Sequence, residues 1–219
     1  VLIVVSGRPI NITWASEHVS AIMAVWHPGT EGGNGIADVL VGEINPSGKL
    51  PVTWPRHAGQ IPTYYAHNLT HQPETDKGFT SRYWDDSSFP LYPFGYGLSY
   101  TTFTYSNLKV QKSTVKVGEP VTVQVDIANT GRYVGAEVAQ LYIHQRSGSA
   151  SRPVRQLKGF KRVILKAGAK QTLTFKLGKD ELKYWSSAER NWVNEAGSFD
   201  VWVGGDSNAK LHTEFKVVP

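Results

Sequence analysis

Residues 121–129 read VTVQVDIAN, in which valine or isoleucine occupies every second position from 121 to 127. Strict alternation of this kind is typical of a β-strand with one face in a core and the other toward solvent. Turn-forming sequences bound the segment, with Val-Gly-Glu-Pro at 117–120 before it and Asn-Thr-Gly at 129–131 at its end. We therefore predict a strand that contributes one face to a hydrophobic core.

The same alternation returns along the C-terminal half of the chain, between turns that contain glycine or asparagine. Further strand-like segments lie at 103–105 with 108–110, 138–142, 157–163, 173–177, 199–203 and 211–217. About seven short strands in little more than a hundred residues are typical of an immunoglobulin-like antiparallel sandwich. The chain has no cysteine to join the sheets, so the pattern is nearer to a fibronectin type III domain than to an antibody domain.

The N-terminal segment has an α/β pattern instead. Val1–Val5 is a continuous apolar run, which predicts a strand buried on both faces of a parallel sheet. Ser16 is placed to cap a helix whose apolar residues recur at helical spacing until Trp26. The glycine-rich stretch 32–42 predicts a second helix, and residues 50–54 predict a short strand.

These patterns predict three regions. Residues 1–70 form the C-terminal part of an α/β sandwich domain, 71–100 a packed aromatic-rich connection, and 101–219 the β-sandwich. One buried strand cannot form a parallel sheet, because such a strand needs neighbours on both sides. The predicted fold class is thus an α/β fragment followed by an all-β, fibronectin type III-like sandwich, with the missing strands elsewhere in the protein.

Composition and charge exclude several classes of protein. Hydrophobic residues make up 40% of the 219 residues, which excludes a mainly disordered chain, and no apolar run approaches the ~20 residues that a membrane span needs. Residues 1–70 carry a net charge of −1, residues 71–100 of −2 and residues 101–219 of +8. The cations are scattered among strand residues, so we predict a solvated basic surface, with a polyanion-binding face as the alternative.

The segment 81–85 carries the best candidates for ligand binding. Arg82 and Asp85 can hydrogen-bond sugar hydroxyls, and the rings of Tyr83 and Trp84 can stack on the apolar face of a pyranose. The alternative is that Arg82 and Asp85 pair with each other while the rings bury the loop. Either arrangement fits the sequence.

Other residue clusters favour structural roles. No zinc-binding motif joins His27, His57, His67 and His71, and no phosphate-binding lysine follows the glycines at 29–35, so we expect no metal and no cofactor. The aromatic residues Tyr142, Trp185, Trp192 and Trp202 could form a carbohydrate platform. We expect at least two of them in the sandwich core, because Trp202 alternates with two valines.

Three blocks of sequence are specific enough to indicate a protein family. They read HPGTEGGNGIADVLVGEINPSGKLP at 27–51, SRYWD at 81–85 and YPFGYGLSYTTF at 92–103. In this order, and followed by a sandwich, they closely resemble the C-terminal part of family 3 glycoside hydrolases, the β-glucosidase and β-xylosidase-like enzymes. The resemblance covers essentially the whole chain.

The resemblance implies an activity whose catalytic groups lie elsewhere. Such enzymes remove terminal β-linked glucosyl or xylosyl units with retention, using a carboxylate nucleophile and a carboxylic acid/base. The family's nucleophile lies on a preceding barrel domain in a Ser-Asp-Trp-like motif, which does not occur here, and its acid/base glutamate precedes the segment matched by 1–9. The chain alone is therefore expected to be inactive, with no catalytic residue of its own. Its expected contribution to the whole enzyme is scaffold and an outer substrate-site or dimer surface.

The resemblance also implies partners and a location. The expected partners are the N-terminal barrel, the remainder of the α/β domain and a β-glycoside substrate. The resemblance leaves undecided whether the protein forms a homodimer. Neither a nucleic-acid partner nor a membrane span is expected. A periplasmic or secreted location is favoured. The alternative function is a non-catalytic carbohydrate- or partner-binding β-sandwich module.

Overall fold

A computed structural model describes residues 1–69 and 83–219. The helices are Thr13–His18 (α1), Gly32–Val41 (α2) and Lys179–Leu182 (α3). The strands are Leu2–Val4 (β1), Ile22–Ala24 (β2), Phe103–Val110 (β3), Thr114–Lys116 (β4), Val121–Asn129 (β5), Gly135–Gln145 (β6), Gln156–Leu165 (β7), Lys170–Leu177 (β8), Tyr184–Ser186 (β9), Asn191–Val193 (β10), Gly197–Gly204 (β11) and Leu211–Val218 (β12).

The α/β part begins with two parallel strands, β1 and β2, whose register pairs Leu2 with Ile22. The predicted helix from Ser16 to Trp26 is therefore wrong in its second half. Helix α1 ends at His18, and Ser16 does not cap it but donates a hydrogen bond to the carbonyl of Thr13. The residues after α1 form a short apolar run, and periodicity alone does not distinguish such a run in a buried strand from one in a helix.

Helix α2 confirms the second helical prediction. Gly42 follows it in the left-handed conformation, with φ of +84°, which only glycine adopts without strain. At the other end, Glu31 is the N-cap residue, but its carboxylate accepts a hydrogen bond from Asn34 Nδ2 at 2.6 Å and makes no bond to the helix backbone. Glu31 thus orders the start of the helix locally.

The predicted strand at 50–54 is wrong. Only Trp54 forms a bridge, an isolated one with Tyr92, while the Leu50 backbone exchanges hydrogen bonds with Gly95 and Tyr96. The segment is held against the 91–96 stretch by these separate contacts, because Pro51 and Pro55 each remove a backbone donor. Trp54 is 2% exposed and donates its indole N–H to the carbonyl of Ile10, so it anchors the small apolar core here.

The C-terminal part confirms the predicted sandwich. One sheet has five strands in the order β4-β12-β11-β6-β7, and the other has three in the order β3-β5-β8. All neighbouring strands are antiparallel except β4, which runs parallel to β12. Each of the predicted strand segments lies within one of these strands, and β4, β9 and β10 are additional.

The sandwich core lies between the two sheets. Every alternate residue of β5 from Val121 to Ile127 is at most 1% exposed, as the alternation predicted. Facing residues of β4, β6, β7, β8, β11 and β12 complete one cluster, in which Phe199 and Phe215 stack with ring centroids 4.9 Å apart. Burial of this apolar area is the main stabilising contribution of the region.

The outer face of the five-stranded sheet packs against the rest of the chain. Tyr142 is fully buried there, edge-on to Tyr65, which in turn stacks on Phe94. Trp202 pairs with Tyr142 across β6 and β11, so it also points outward, half-buried, with Arg155 4.4 Å from its ring centre. The expectation that Trp202 belongs to the sandwich core is wrong, because its two valine neighbours fill that face.

A buried ion pair joins the two parts. Glu137 of β6 is bound by Lys49 Nζ at 3.1 Å and accepts a hydrogen bond from Tyr105 at 2.9 Å. Burial and the adjacent carboxylate raise the pKa of Tyr105, which keeps its hydroxyl protonated as a donor. None of the described helices is long and apolar enough to cross a membrane.

Candidate functional site

Tyr83 is held in place beside the turn at 57–60. Its hydroxyl donates to the carbonyl of Gly59 at 3.2 Å, and its backbone N–H donates to Ser88 Oγ at 3.1 Å. Its ring lies edge-on to His57, with the centroids 6.0 Å apart. These contacts orient the backbone that carries the next two candidate residues.

Trp84 and Asp85 are both exposed. Trp84 is 97% exposed, which is unusual for the largest apolar side chain and leaves both ring faces free within the described part of the chain. Arg82 lies outside the described residues, so its predicted pairing with Asp85 stays a prediction. The structure brings Tyr83, Trp84 and Asp85 together on one short exposed segment, as their adjacency requires.

Asp86 lies close to two side chains of the preceding turn. His57 Nε2 lies 3.3 Å from one carboxylate oxygen and Arg56 Nε lies 3.9 Å from the other. Arg56 Nε also donates to the carbonyl of Phe89 at 3.1 Å. Arg56 and Asp86 do not stand out in the sequence, because they are far apart in the chain and no local pattern links them.

Gln60 extends this support into the interior. It is 4% exposed, accepts from the backbone N–H of Arg56 at 2.7 Å and donates to the carbonyl of Ser87 at 2.8 Å. Thr13 of α1 donates to the carbonyl of Arg56 at 2.6 Å. A chain of hydrogen bonds therefore fixes the exposed segment to the α/β part, so that Trp84 stands on an ordered base.

The chemistry available here is recognition. An exposed indole beside an exposed carboxylate offers a stacking face and hydrogen-bond acceptors, the groups that bind a sugar ring and its hydroxyls. Among the residues that the structure describes, no group of three or more histidine, aspartate or glutamate side chains could hold a metal ion.

The four aromatic residues considered as a platform on the sandwich divide into two pairs. Tyr142 and Trp202 lie on the packed outer face of the large sheet. Trp185 and Trp192 lie on the β9–β10 hairpin and are 52% and 55% exposed. They form an edge-to-face pair, with an interplanar angle of 74°, and no coplanar row.

The chain thus combines the end of an α/β domain, which carries an exposed aromatic segment, with a fibronectin type III-like sandwich on which it packs. Residues 1–100 match the Glycosyl hydrolase family 3 C-terminal domain, and residues 137–207 match the Fibronectin type III-like domain. The chain therefore corresponds to the C-terminal part of family 3 glycoside hydrolases.

Individual relatives agree over the whole chain. The periplasmic beta-glucosidase of Salmonella typhimurium is 46% identical over an alignment of 221 positions, which covers all of this chain and 29% of that protein. A beta-xylosidase of Formosa agariphila is 37% identical over 95% of this chain and 28% of its own length. The crystal structure of a beta-glucosidase from Listeria innocua in complex with glucose superimposes with a TM-score of 0.93 at 37% identity, covering 99% of this chain and 30% of that one. The chain thus spans less than a third of these relatives.

Proposed function

We propose that the whole protein is a retaining, exo-acting β-glucosidase-like hydrolase, in which this chain supplies scaffold and an outer part of the substrate site. The main observation behind this proposal is that 99% of the chain superimposes on a beta-glucosidase and corresponds to 30% of that protein. Both catalytic carboxylates are then supplied by the remainder of the protein, whose barrel and α/β strands are the partners we propose. The substrate class is a β-glycoside with a terminal glucosyl or xylosyl unit.

The exposed apolar surface along β1 of the α/β part supports this arrangement. Strand β1 pairs only with β2 among the described strands, and Val1 and Val5 beside it are 73% and 60% exposed. An open groove of about 600 Å³ runs along β1 to Trp14, which is 68% exposed. Apolar surface of this extent costs free energy in water, so further strands and helices of the same domain are its natural cover.

We further propose that Arg82, Tyr83, Trp84 and Asp85 bind the sugar unit next to the terminal unit that the enzyme removes. The exposure of Trp84 and the hydrogen bonds that fix Tyr83 support the proposal. In this arrangement Trp84 stacks on a pyranose face and Asp85 accepts hydrogen bonds from hydroxyls. The region boundaries 1–70, 71–100 and 101–219 remain our proposed division of the chain.

A reconstitution assay tests the activity. Hydrolysis of nitrophenyl β-glucoside and β-xyloside is measured for this chain, for the preceding part of the protein, and for the two mixed. We expect turnover only in the mixture or in the full-length protein, because neither catalytic carboxylate is here. Turnover by this chain alone would refute our placement of those groups. Absence of turnover by the full-length protein, with retained binding of β-glucans, would favour the non-catalytic binding module.

A single substitution tests the outer substrate site. In the full-length protein, Trp84→Ala should raise KM for a β-linked disaccharide by about tenfold, since one stacked ring contributes roughly 1–1.5 kcal/mol. Values of kcat and of KM for the nitrophenyl monosaccharide should change much less. Tyr133→Ala is the matched control, because Tyr133 is 62% exposed and remote from this segment in sequence. Equal effects of the two substitutions would contradict the role of Trp84.

A further inference from the structure

The β9–β10 hairpin presents an aromatic surface to solvent. Trp185 and Trp192 are directly opposite each other in its register, with ring centroids 5.8 Å apart. The hairpin is a separate two-stranded sheet, outside both sheets of the sandwich. Each indole therefore remains about half exposed although the two rings contact each other.

The opposite face of the hairpin is anchored. Side chains alternate along a strand, so Tyr184 points away from Trp185. Arg152 covers the ring of Tyr184, with Cζ 3.3 Å from the ring centroid. Glu195, just after β10, binds Arg152 at 2.8 Å and accepts the backbone N–H of Ser149 at 3.1 Å. These contacts hold the hairpin before any ligand arrives, which lowers the entropic cost of binding.

Charges of both signs surround the rings. Lys183 Nζ lies 5.4 Å from the ring centre of Trp192 and is paired with Asp180 at 2.7 Å. Glu189 and Arg190, both exposed, occupy the turn of the hairpin. The surroundings thus combine hydrogen-bond donors and acceptors without an excess of either charge. A neutral ligand rich in hydroxyl groups matches this combination better than a polyanion does.

The size of the surface also limits the ligand. Two half-exposed indoles offer together roughly 250 Å², since a buried tryptophan contributes up to ~250 Å². A stable protein interface needs about 800 Å² from each partner. The aromatic surface is therefore too small to hold a second protein by itself, while it matches the faces of one or two sugar rings.

We propose that Trp185 and Trp192 form a second carbohydrate-binding surface, which stacks on one or two β-linked glucose or xylose units of an oligosaccharide. In these sugars the ring substituents are equatorial, so axial C–H bonds cover both faces and suit an indole surface. The choice of β-linked units rests on the proposed function. The surface would hold polymer near the enzyme without contacting the bond that is cut.

Affinity electrophoresis of the full-length protein tests the proposal. Migration is compared in gels that contain soluble β-glucan and in gels that contain starch, an α-linked glucan. We expect β-glucan to retard the protein, and the double variant Trp185→Ala, Trp192→Ala to show a dissociation constant at least about fivefold higher. The control is Phe160→Ala, which removes a 67% exposed ring from β7 of the same sandwich. Unchanged retardation of the double variant, or the same loss in the control, would overturn the proposal.

Two further measurements remove ambiguity. The double variant Trp185→Tyr, Trp192→Tyr keeps aromatic faces and should bind within about twofold of the unsubstituted protein, even if the alanine variant folds poorly. Cello-oligosaccharide should also slow oxidation of both indoles by N-bromosuccinimide in the unsubstituted protein, and unprotected indoles would count against the surface. Nitrophenyl β-glucoside hydrolysis, measured in parallel, reports on the proposed function separately: normal hydrolysis with unchanged retardation refutes only the second surface.

Discussion

The sandwich and the α/β part differ in how completely they bury their apolar residues. The sandwich has a contiguous core of seventeen buried apolar residues between its two sheets. Within residues 1–69, the α/β core has four, Val4, Ile12, Ala15 and Trp54, while several large apolar side chains nearby stay exposed. The sandwich thus meets its own packing requirement, whereas the α/β part has the surface of a unit that is finished by another part of the protein.

The two regions also differ in polar satisfaction. Asn129, 1% exposed in the sandwich, donates to the carbonyls of Tyr133 and Leu165 and accepts from Thr101 Oγ1. In the α/β part, Thr53 Oγ1 is buried without a hydrogen-bond partner among the described residues. For these two residues the hydrogen bonding follows the packing, because a buried polar group is satisfied only where its neighbours are present.

The largest expected difference is in local stability. In this chain alone, backbone amides of β1 and β2 should exchange with solvent about a thousandfold faster than those of β5 and β6, since few buried contacts oppose their opening. Hydrogen exchange followed by mass spectrometry measures this ratio. Addition of the preceding part of the protein should slow exchange in β1 and leave β5 unchanged. Equal protection of both regions in the isolated chain would show that they do not differ in local stability.

Truncation of a sandwich core residue should have the next largest effect. Phe199→Ala removes a 2% exposed ring from its stack on Phe215, and should lower the free energy of unfolding by about 3–5 kcal/mol. Trp14→Ala, at a 68% exposed position in the α/β part, should change it by less than about 0.5 kcal/mol. Denaturant unfolding followed by circular dichroism compares them. A larger loss from Trp14→Ala would mean that the α/β part is already complete.

Substitution of one buried polar residue in each region should change the stability by a smaller amount, and the change should differ between the two regions. Asn129→Ala should destabilise the sandwich by about 1–3 kcal/mol, because its hydrogen-bond partners stay buried and unpaired. Thr53→Val should be neutral or stabilising by about 0.5 kcal/mol, since it replaces an unpaired hydroxyl by a methyl group. Thermal unfolding midpoints measure both changes. Similar destabilisation by both variants would show that Thr53 is satisfied, and Thr130→Ala controls for the turn beside Asn129.

The smallest expected effect depends on pH. Hydrogen bonds from Thr172 and Asn107, with help from Lys170, lower the pKa of Asp126 below its usual 3.8. A lowered pKa in the folded state means that the carboxylate stabilises the fold above about pH 4, and that this stabilisation is lost as the pH falls through the folded-state value. Asp126→Asn should therefore reduce stability at neutral pH and flatten the acid side of the stability profile. If these hydrogen bonds contribute nothing, Asp126→Asn should instead follow the stability profile of the unsubstituted protein at every pH.

Prediction of strands from the sequence succeeded in the sandwich and failed for Ile22–Ala24 in the α/β part for one physical reason. In β5 every second residue faces the core, so the period of two is visible in the sequence itself. The strand Ile22–Ala24 belongs to a parallel pair and is uniformly apolar, so its residues also fit a helix. The error at 19–26 arose there. Likewise, Trp202 alternates with valines whichever face is buried, and only the packing of the outer face decides its position.

The candidate site shows the same division. Sequence adjacency alone brings Tyr83, Trp84 and Asp85 together, and their residue types alone indicate sugar binding. The anchoring contacts of Arg56, His57 and Gln60 with the 86–89 stretch join positions distant in the chain, and no local pattern encodes such pairs.

The sandwich, the second helix and the family resemblance could be predicted from the residues alone, because alternation, turn chemistry and ordered motifs are local properties. The pairing of β1 with β2, the outward orientation of Trp202 and the contact between Trp185 and Trp192 became visible only in the folded chain. These outcomes depend on which surfaces remain available after packing, and that is set by contacts between residues far apart in the chain.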